Sequence, residues 1–578
     1  MTAPPPHVVG PRDFSASIYP LEPDWDRPHF PWHDSYPPGV PPGLSYAPLR
    51  AERLLLGACG HYPRRTAVRY WGTAWSYEEL VERVRRAAAN FRRLGVDAGD
   101  RVLMVLPNSP EFVVAWFALH WLGAEIVPAN PLLCSSDLAE LVRITGAEVV
   151  LGLDVRINPV ARLTQRVPVR LVLVASLAAH LPWYLAVPYL LRRRFRRRPH
   201  FAATTLVQSC TVLDERAARP LSEPVLTDAA RPAILQPTGG TTGTPKVAVL
   251  THANLHANVA QLHVWSGCQP GTETVLSVLP FFHVFGATVA MLSPIAGGAT
   301  LVLQAQFQPR RILATMQQCR PNLAPMVPFM FAALNQAMHR RRRNIDGLDF
   351  CFSGASPLAA EVRDEFQDRT GATIFEGYGL SEASPVTHAN PPDGTARPGS
   401  VGLPLPGTEA RVVDVENGLL PVPPGQVGEL IVRGPQIMRE YLDAPEETAH
   451  VLRDGWLHTG DLVTVDRAGF FTIVDRKKDM IISAGLNIFP AEIEEVLAAH
   501  PAVQECAVVG VPDKQYGERV AAYVVPAPGK RIDVEALKAH CRTGLASYKI
   551  PRIIEIRTEL PKNFLGKVRR VELRKKAA

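Results

Sequence analysis

The chain of 578 residues has eight cysteines, at 59, 134, 210, 268, 319, 351, 506 and 541, and no two stand in a C-x-x-C spacing. That scatter argues against both a zinc site and a disulfide framework, and a reducing interior suits it best. Charge of one sign is also scarce. The net charge is +7, and much of the excess sits in two runs, Arg192–Arg198 and Arg340–Arg343. So mild an excess suits anionic substrates or a membrane surface and argues against nucleic acid; the first run has only Phe195 as an interleaved aromatic. The opening MTAPPPHVVGPRDF lacks a basic region followed by an apolar run, so a secretory leader is not expected and a cytoplasmic placement is.

A clean membrane span is missing too. Residues 171–191 form a strongly apolar run without a formal charge, and about 20 residues suffice to cross a bilayer. His180, Pro182 and Pro188 oppose a span, because they add polarity or interrupt backbone hydrogen bonds. A core strand at LVLV followed by a bent amphipathic segment ending in cations is the expectation. Such a segment faces either an anionic lipid surface or water alone.

Against these absences stands a composition of 47% hydrophobic and 20% charged residues, that of a globular protein large enough for several units. Residues 1–45 are rich in proline and aromatics, and no regular helix or strand is expected there. From Tyr77 a pattern emerges. SYEELVERVRRAAANFRRLG predicts a Ser-capped helix ended by Gly95, RVLMVLP a buried strand, and SPEFVVAWFALHWLGA a second helix. EIVPAN and EVVLGL read as further strands, and this alternation predicts a parallel α/β sheet. The last hundred residues predict a separate α+β unit, with helices at AEIEEVLAAHP and DVEALKAHCRTGLASYKIP and strands at AVQECAVVGVPD and VAAYVVP.

TGGTTGTPK (238–246) is the densest glycine and hydroxyl stretch. Glycines let backbone approach a ligand, threonines donate to phosphate oxygens, and Lys246 adds a cation. Its spacing is not G-x-x-x-x-G-K-[ST], since Val247 stands where the Ser/Thr would be. Alone it reads equally well as a turn between strands. It is followed by LPFFHVFG (279–286), SGASPL (353–358), EGYGLSEASPVTH (376–388), GWLHTGDLVTVDRAGFFTIVDRKKDMIISAGLNIFPAEIEE (455–495) and LPKNFLGKVRR (560–570). In that order the motifs resemble the adenylate-forming superfamily of acyl-CoA synthetases, luciferases and peptide-synthetase adenylation domains. The wording is most similar to bacterial long-chain fatty acid–CoA ligases, in GYGLSEASPVTHANP, GSVGLPLPGTEARVVD and the LPWYL…RRRFRRR insertion.

The resemblance implies an α/β fold. It has a large N-terminal domain of distorted sheets flanked by helices plus a small β-barrel-like part, and a small mobile α+β C-terminal domain. It places a Pro-rich extension at 1–45, the large domain at 46–475 with an insertion at 175–200, and the small lid at 476–578. The implied reaction joins a fatty acid to coenzyme A in two steps, through acyl-AMP and pyrophosphate, with ATP and Mg2+. Thr238, Gly239, Gly240, Thr241, Thr242, Gly243 and Lys246 would hold the β- and γ-phosphates. Val284, Gly354, Ala355, Glu376, Gly377, Tyr378 and Gly379 would surround the nucleotide, with Tyr378 stacked on adenine. Ser381 would hydrogen-bond the α-phosphate, Glu382 would bind Mg2+ with Thr238 as a second candidate ligand, and Asp461 and Arg476 would hold the ribose. Lys567 would bridge the acid and the α-phosphate at the transition state. His283 would stand beside the acyl carboxylate, although a histidine in an apolar run is by itself more often a core residue.

For the thiol step the resemblance implies rotation of the small domain about Lys478, bringing Ser483, Ala484 and Gly485 to a coenzyme A tunnel. Two departures from the family pattern stand out: Val247 replaces a usual glycine and Ser381 a commoner threonine. Three other readings stay open: a ligase for medium-chain or aryl acids, a fatty acyl-AMP ligase with another acceptor, and a lipid-associated binding protein without turnover. Oligomeric state is left undetermined.

Overall fold

A computed structural model describes residues 18, 21–194, 199–209, 219–225, 228–238, 246–267, 269–339, 345, 347–483, 486–513, 517–562 and 568–577. By compactness the chain divides into two units. One comprises Met1–Glu409 with Arg433–Gly455, the other Ala410–Val432 with Trp456–Ala578. The expected lid boundary at 476 thus differs from the division by packing, which groups the strand Trp456–Val465 with the C-terminal residues.

The first unit contains two large sheets. One has the strand order Glu440–Tyr441, Lys246–Thr251, Pro232–Thr238, Glu125–Pro128, Arg101–Val105, Val149–Leu153, Leu171–Ala175 and Leu206–Ser209. Its strands from Pro232–Thr238 onward run parallel, while Lys246–Thr251 turns back antiparallel. The second sheet centres on parallel strands Thr373–Gly379, Phe350–Ser353, Leu323–Met326, Thr274–Ser277, Thr300–Leu303 and Thr66–Tyr70. Parallel strands are buried on both faces, and their apolar runs reflect this. Val149–Leu153 is buried at every position.

The local signals act as the sequence predicts. Ser76 accepts from the Glu79 N–H and the Glu79 carboxylate accepts from the Ser76 N–H, a reciprocal cap that opens the helix Tyr77–Arg93. Ser109 caps Pro110–Leu122, and Gly123 ends it at φ +80°. All thirteen residues of that helix are buried, so it is a core helix with no solvent face.

The Pro-rich segment departs from expectation. Glu22–Asp24 pairs antiparallel with Gly43–Ser45, and Pro31–Ser35 forms a 3-10 turn that buries Trp32. Tyr36 donates its hydroxyl to the Pro404 carbonyl. Proline there shortens the strands but does not prevent them, because a two-stranded ribbon has edges that tolerate missing donors. Residues 1–17, 19 and 20 lie outside the described residues.

In the second unit, Trp456–Val465 pairs antiparallel with both Gly428–Arg433 and Phe471–Arg476. With Glu409–Val413 at its margin, this small β part does not close on itself among the described residues. A further sheet of Leu486–Ile488, Ile481–Ser483, Gly517–Pro526, Val503–Asp513 and Ile553–Ile556 packs its apolar side against the helices Pro490–Ala498 and Val534–Gly544. Ile493, Leu497, Val508, Val524 and Leu537 form that core.

Candidate functional site

The glycine-rich loop joins two paired strands. Thr238 ends Pro232–Thr238, Lys246 begins Lys246–Thr251, and the two residues are register partners. The Thr238 hydroxyl donates to the Lys246 carbonyl at 3.2 Å. Gly239, Gly240, Thr241, Thr242 and Gly243 lie outside the described residues. Val247, the departure from the family pattern, is buried in the sheet core with Leu235 and Val249. Its side chain therefore has a packing role that glycine could not supply.

Lys246 pairs with the Glu447 carboxylate, and its ammonium lies 5.3 Å from the Tyr441 ring centre. That pairing holds the Glu447 carboxyl below its ordinary pKa. The Tyr441 hydroxyl donates to Glu382 Oε1 at 2.7 Å. Burial, then the Glu382 carboxylate, pushes the Tyr441 phenol far above the ordinary tyrosine range, so it remains a donor. Glu382 itself sits on the 3-10 turn Ser381–Ala383, and its carbonyl accepts from the Met438 N–H at 2.7 Å. One tyrosine thus contacts both the Lys246 ammonium and the Glu382 carboxylate. Sequence reasoning missed Tyr441 and Glu447; the only local signal was the charged stretch around REYLDAPEE.

Next to Glu382 in sequence, the nucleotide candidates occupy adjacent strand ends. Ser353 and Glu376 are partners on parallel strands, so Gly354, Ala355 and Gly377–Gly379 emerge at their carboxyl ends, where open α/β sheets bind ligands. A Cβ on Gly377 would fall 2.3 Å from the Phe352 ring, and one on Gly379 would fall 2.0 Å from the Pro385 carbonyl oxygen. No side chain fits at either position. Ala355 takes φ +73°, a conformation uncommon outside glycine. The Glu376 carboxyl is raised by burial, opposed by a hydrogen bond from the Leu358 N–H at 3.3 Å. Tyr378 is half-exposed and meets His388 edge to face, with ring centres 5.9 Å apart.

His283 caps the short helix Val284–Ala287, its Nδ1 accepting from the Phe285 N–H at 3.2 Å. The ring is half-buried and Val284 fully buried. Phe285 packs edge to face on Phe352 and closes over Gly354. The preceding loop is held by buried Asn108, which donates to the Ser277 and Leu279 carbonyls and accepts from the Phe281 N–H at 2.8 Å. All three bonds use one amide, so Asn108 fixes where His283 can stand.

In the second unit, Asp461 and Arg476 are cross-strand partners, with Arg476 Nε 2.7 Å from Asp461 Oδ1. Asp461 is buried and Arg476 half-exposed. Glu429 supports them, accepting from the Gly460 N–H at 3.2 Å and from the Lys477 ammonium at 2.8 Å. Lys478 is exposed at its surface, and the protein packed around its base, followed by the Arg476 charge, lowers its pKa. Ser483 ends the strand Ile481–Ser483, while Ala484, Gly485 and Lys567 lie outside the described residues. Arg570 spans Asp479 at 3.3 Å and Glu494 at 2.7 Å, tying the last helix to the turn after Arg476.

No group of three or more His, Cys, Asp or Glu suited to a metal ion occurs among the described residues. Glu382 is thus a single carboxylate, which fits Mg2+, an ion usually held by one or two carboxylates, substrate phosphates and water.

The AMP-binding enzyme family matches residues 57–442, and the AMP-binding enzyme C-terminal domain matches residues 492–567. The chain belongs to this family. It is 37% identical to a long-chain-fatty-acid–CoA ligase of Bacillus subtilis, covering 94% of this chain and 97% of that protein. It is also 37% identical to a feruloyl-CoA synthase of Amycolatopsis sp, over 92% and 99% of the two chains. Among solved structures, ATP-bound MatB from Rhodopseudomonas palustris aligns with a TM-score of 0.77 at 28% identity, over 91% of this chain and 99% of that one.

Proposed function

We propose that the chain is a long-chain fatty acid–CoA ligase. It activates a fatty acid with MgATP to acyl-AMP and pyrophosphate, then transfers the acyl group to coenzyme A with release of AMP. The observation that carries the reading is the convergence of Lys246 and Glu382 on Tyr441, which supplies a phosphate clamp and a metal carboxylate in one polar cluster. Thr238–Lys246 hold the leaving pyrophosphate, Ser381 the α-phosphate, and Asp461 and Arg476 the ribose. Val284, Gly354, Ala355 and Glu376–Gly379 enclose the adenine. Mg2+, held by Glu382 with Thr238 as second candidate, supplies charge neutralisation to the phosphate oxygens when bound.

An apolar cavity supports a fatty tail as the acid. Val264, Val275, Val289, Leu323, Phe352 and Phe375 line it. Phe352 forms both its wall and the face against Gly377, so the cavity adjoins the proposed adenine site. The acid needs no general base, since a carboxylate is already a nucleophile, and His283 serves as a neighbour to its oxygens. Lys567 brings positive charge between the acid and the α-phosphate. Residues 476–578 form the moving domain, Lys478 its hinge, and Ser483–Gly485 the pantetheine passage. A cytoplasmic enzyme that meets an anionic membrane face through Arg192–Arg198 completes the reading; among the described residues no helix is long and apolar enough to cross a membrane.

The 37% identity to the feruloyl-CoA synthase favours a second reading, an aryl acid as substrate. Pyrophosphate release measured across fatty and aryl acids, with and without coenzyme A, separates the two. Failure of every acid to release pyrophosphate overturns both.

A further inference from the structure

The segment after Leu171–Ala175 buries two polar groups and exposes several large apolar ones. His180 is buried with its Nε2 2.7 Å from Glu111 Oε1, and the Tyr189 hydroxyl donates to Asp154 and accepts from the Leu177 N–H at 3.2 Å. Leu177 is buried, but five large apolar side chains that follow it are exposed. On the helix Trp183–Arg194, Trp183 is 79% exposed, Tyr184 55%, Val187 51%, Leu190 45% and Leu191 48%. These positions recur at the spacing of one helical face. Burying such side chains stabilises a protein, so an ordered helix that presents five of them side by side signals a non-aqueous neighbour.

The same helix ends in cations. Arg192 and Arg194 are exposed, and the sequence continues through Arg196, Arg197 and Arg198. An apolar face with Trp and Tyr, followed immediately by clustered arginine, matches the layered chemistry of a bilayer surface: hydrocarbon, then interface, then anionic headgroup. A protein partner would not require this order. We propose that the helix Trp183–Arg194 lies in the plane of an anionic lipid surface, with Trp183, Val187, Leu190 and Leu191 in the interface and the arginines on headgroup phosphates. This deepens the membrane contact of the proposed function by making the apolar face, and not the arginine run alone, the docking element.

The anchoring of the helix gives the docking a direction. The 3-10 turn Ala178–His180 just before it is fixed to Glu111 through His180, and Asn108, three residues before Glu111, holds the loop that carries His283. Docking therefore seats beside the bilayer the same segment that positions the acid end of the proposed site. On that reading a water-insoluble acid is taken from the surface where it concentrates.

The test is co-sedimentation of the full chain with phosphatidylcholine vesicles, with and without phosphatidylglycerol, in the absence of ATP, acid and coenzyme A. The wild type should bind the anionic vesicles and lose binding as salt rises. Arg192→Gln with Arg194→Gln should weaken partitioning by roughly fivefold per charge on anionic vesicles only. Trp183→Ser with Leu190→Ser should abolish binding to both. Each variant should keep the wild-type unfolding temperature, because the altered side chains are exposed. Unchanged vesicle binding by the Trp183/Leu190 variant overturns the proposal, as does a lipid-independent dimer that the same variant dissociates. Because no substrate is present, this outcome is separate from that of the ligase reading: pyrophosphate release from a short, water-soluble acid reports on the latter alone.

Discussion

Removing one oxygen, in Tyr441→Phe, isolates the contact that joins the two halves of the proposed phosphate site. The hydroxyl donates to Glu382 at 2.7 Å, and the ring lies beside the Lys246 ammonium. Phenylalanine keeps the ring and its packing and deletes only the donor. A hydrogen bond to a charged acceptor contributes about 1.5–3 kcal/mol. The site is only partly buried, which places the loss near the lower bound, or about tenfold in rate. The loss should fall on acid-dependent pyrophosphate release, as a lower kcat/KM for MgATP and a higher Mg2+ requirement, because the freed carboxylate no longer points where the metal would sit. Transfer from supplied acyl-adenylate to coenzyme A should be unchanged. A Tyr441→Phe enzyme with wild-type Mg2+ dependence and adenylation, assayed beside a Glu382→Gln enzyme that has lost both, would refute the claim that Tyr441 positions the carboxylate.

Three further outcomes are expected. Lys567→Ala should lower adenylation by at least ~10²-fold, the scale of one preorganised electrostatic group, yet still convert supplied acyl-adenylate to thioester; equal loss of both half-reactions would contradict the alternating-domain reading. Leu21 and Ile18 line the apolar cavity beside Trp265 and Pro270, so Leu21→Ala should shift the preferred acid toward longer chains, and an unmoved chain-length profile would place the tail elsewhere. Burial raises the Glu52 carboxyl from 4.5 to about 7 despite the adjacent Arg50 at 3.1 Å. An acid with a raised folded pKa contributes stability that is present below pH 4.5 and lost as pH rises through about 7. The difference in unfolding free energy between Glu52→Gln and wild type should therefore move in favour of the variant across that window, and a pH-independent difference would contradict the assignment.

Elements governed by neighbours in sequence were legible. The Ser76 cap, the Gly95 stop and the alternation of apolar strands with helices each depend on residues within one or two turns. The core strand and bent segment expected over 171–191 correspond to the strand Leu171–Ala175, the 3-10 turn Ala178–His180 and the start of the helix Trp183–Arg194. Pairings between distant segments were not legible. Glu22–Asp24 finds Gly43–Ser45 only through a ribbon that proline content disguises. Tyr441 reaches Glu382 because Glu440–Tyr441 pairs with Lys246–Thr251, a register that no local pattern encodes. Asn108 is similar: a lone amide after a strand looks like loop polarity until the carbonyls of Ser277 and Leu279 are seen around it. The motifs propose which residues form the site, since those are chemical identities at fixed spacing. The residues that hold them in place come from elsewhere in the chain and carry no motif.

The central claim is tested most directly by measuring pyrophosphate and thioester formation with MgATP and coenzyme A over fatty acids of increasing length beside ferulate and benzoate. The account predicts coenzyme A-dependent thioester and AMP with the highest kcat/KM for a palmitate-like acid. A preference for the aryl acids, or adenylate formation without thioester, would contradict it.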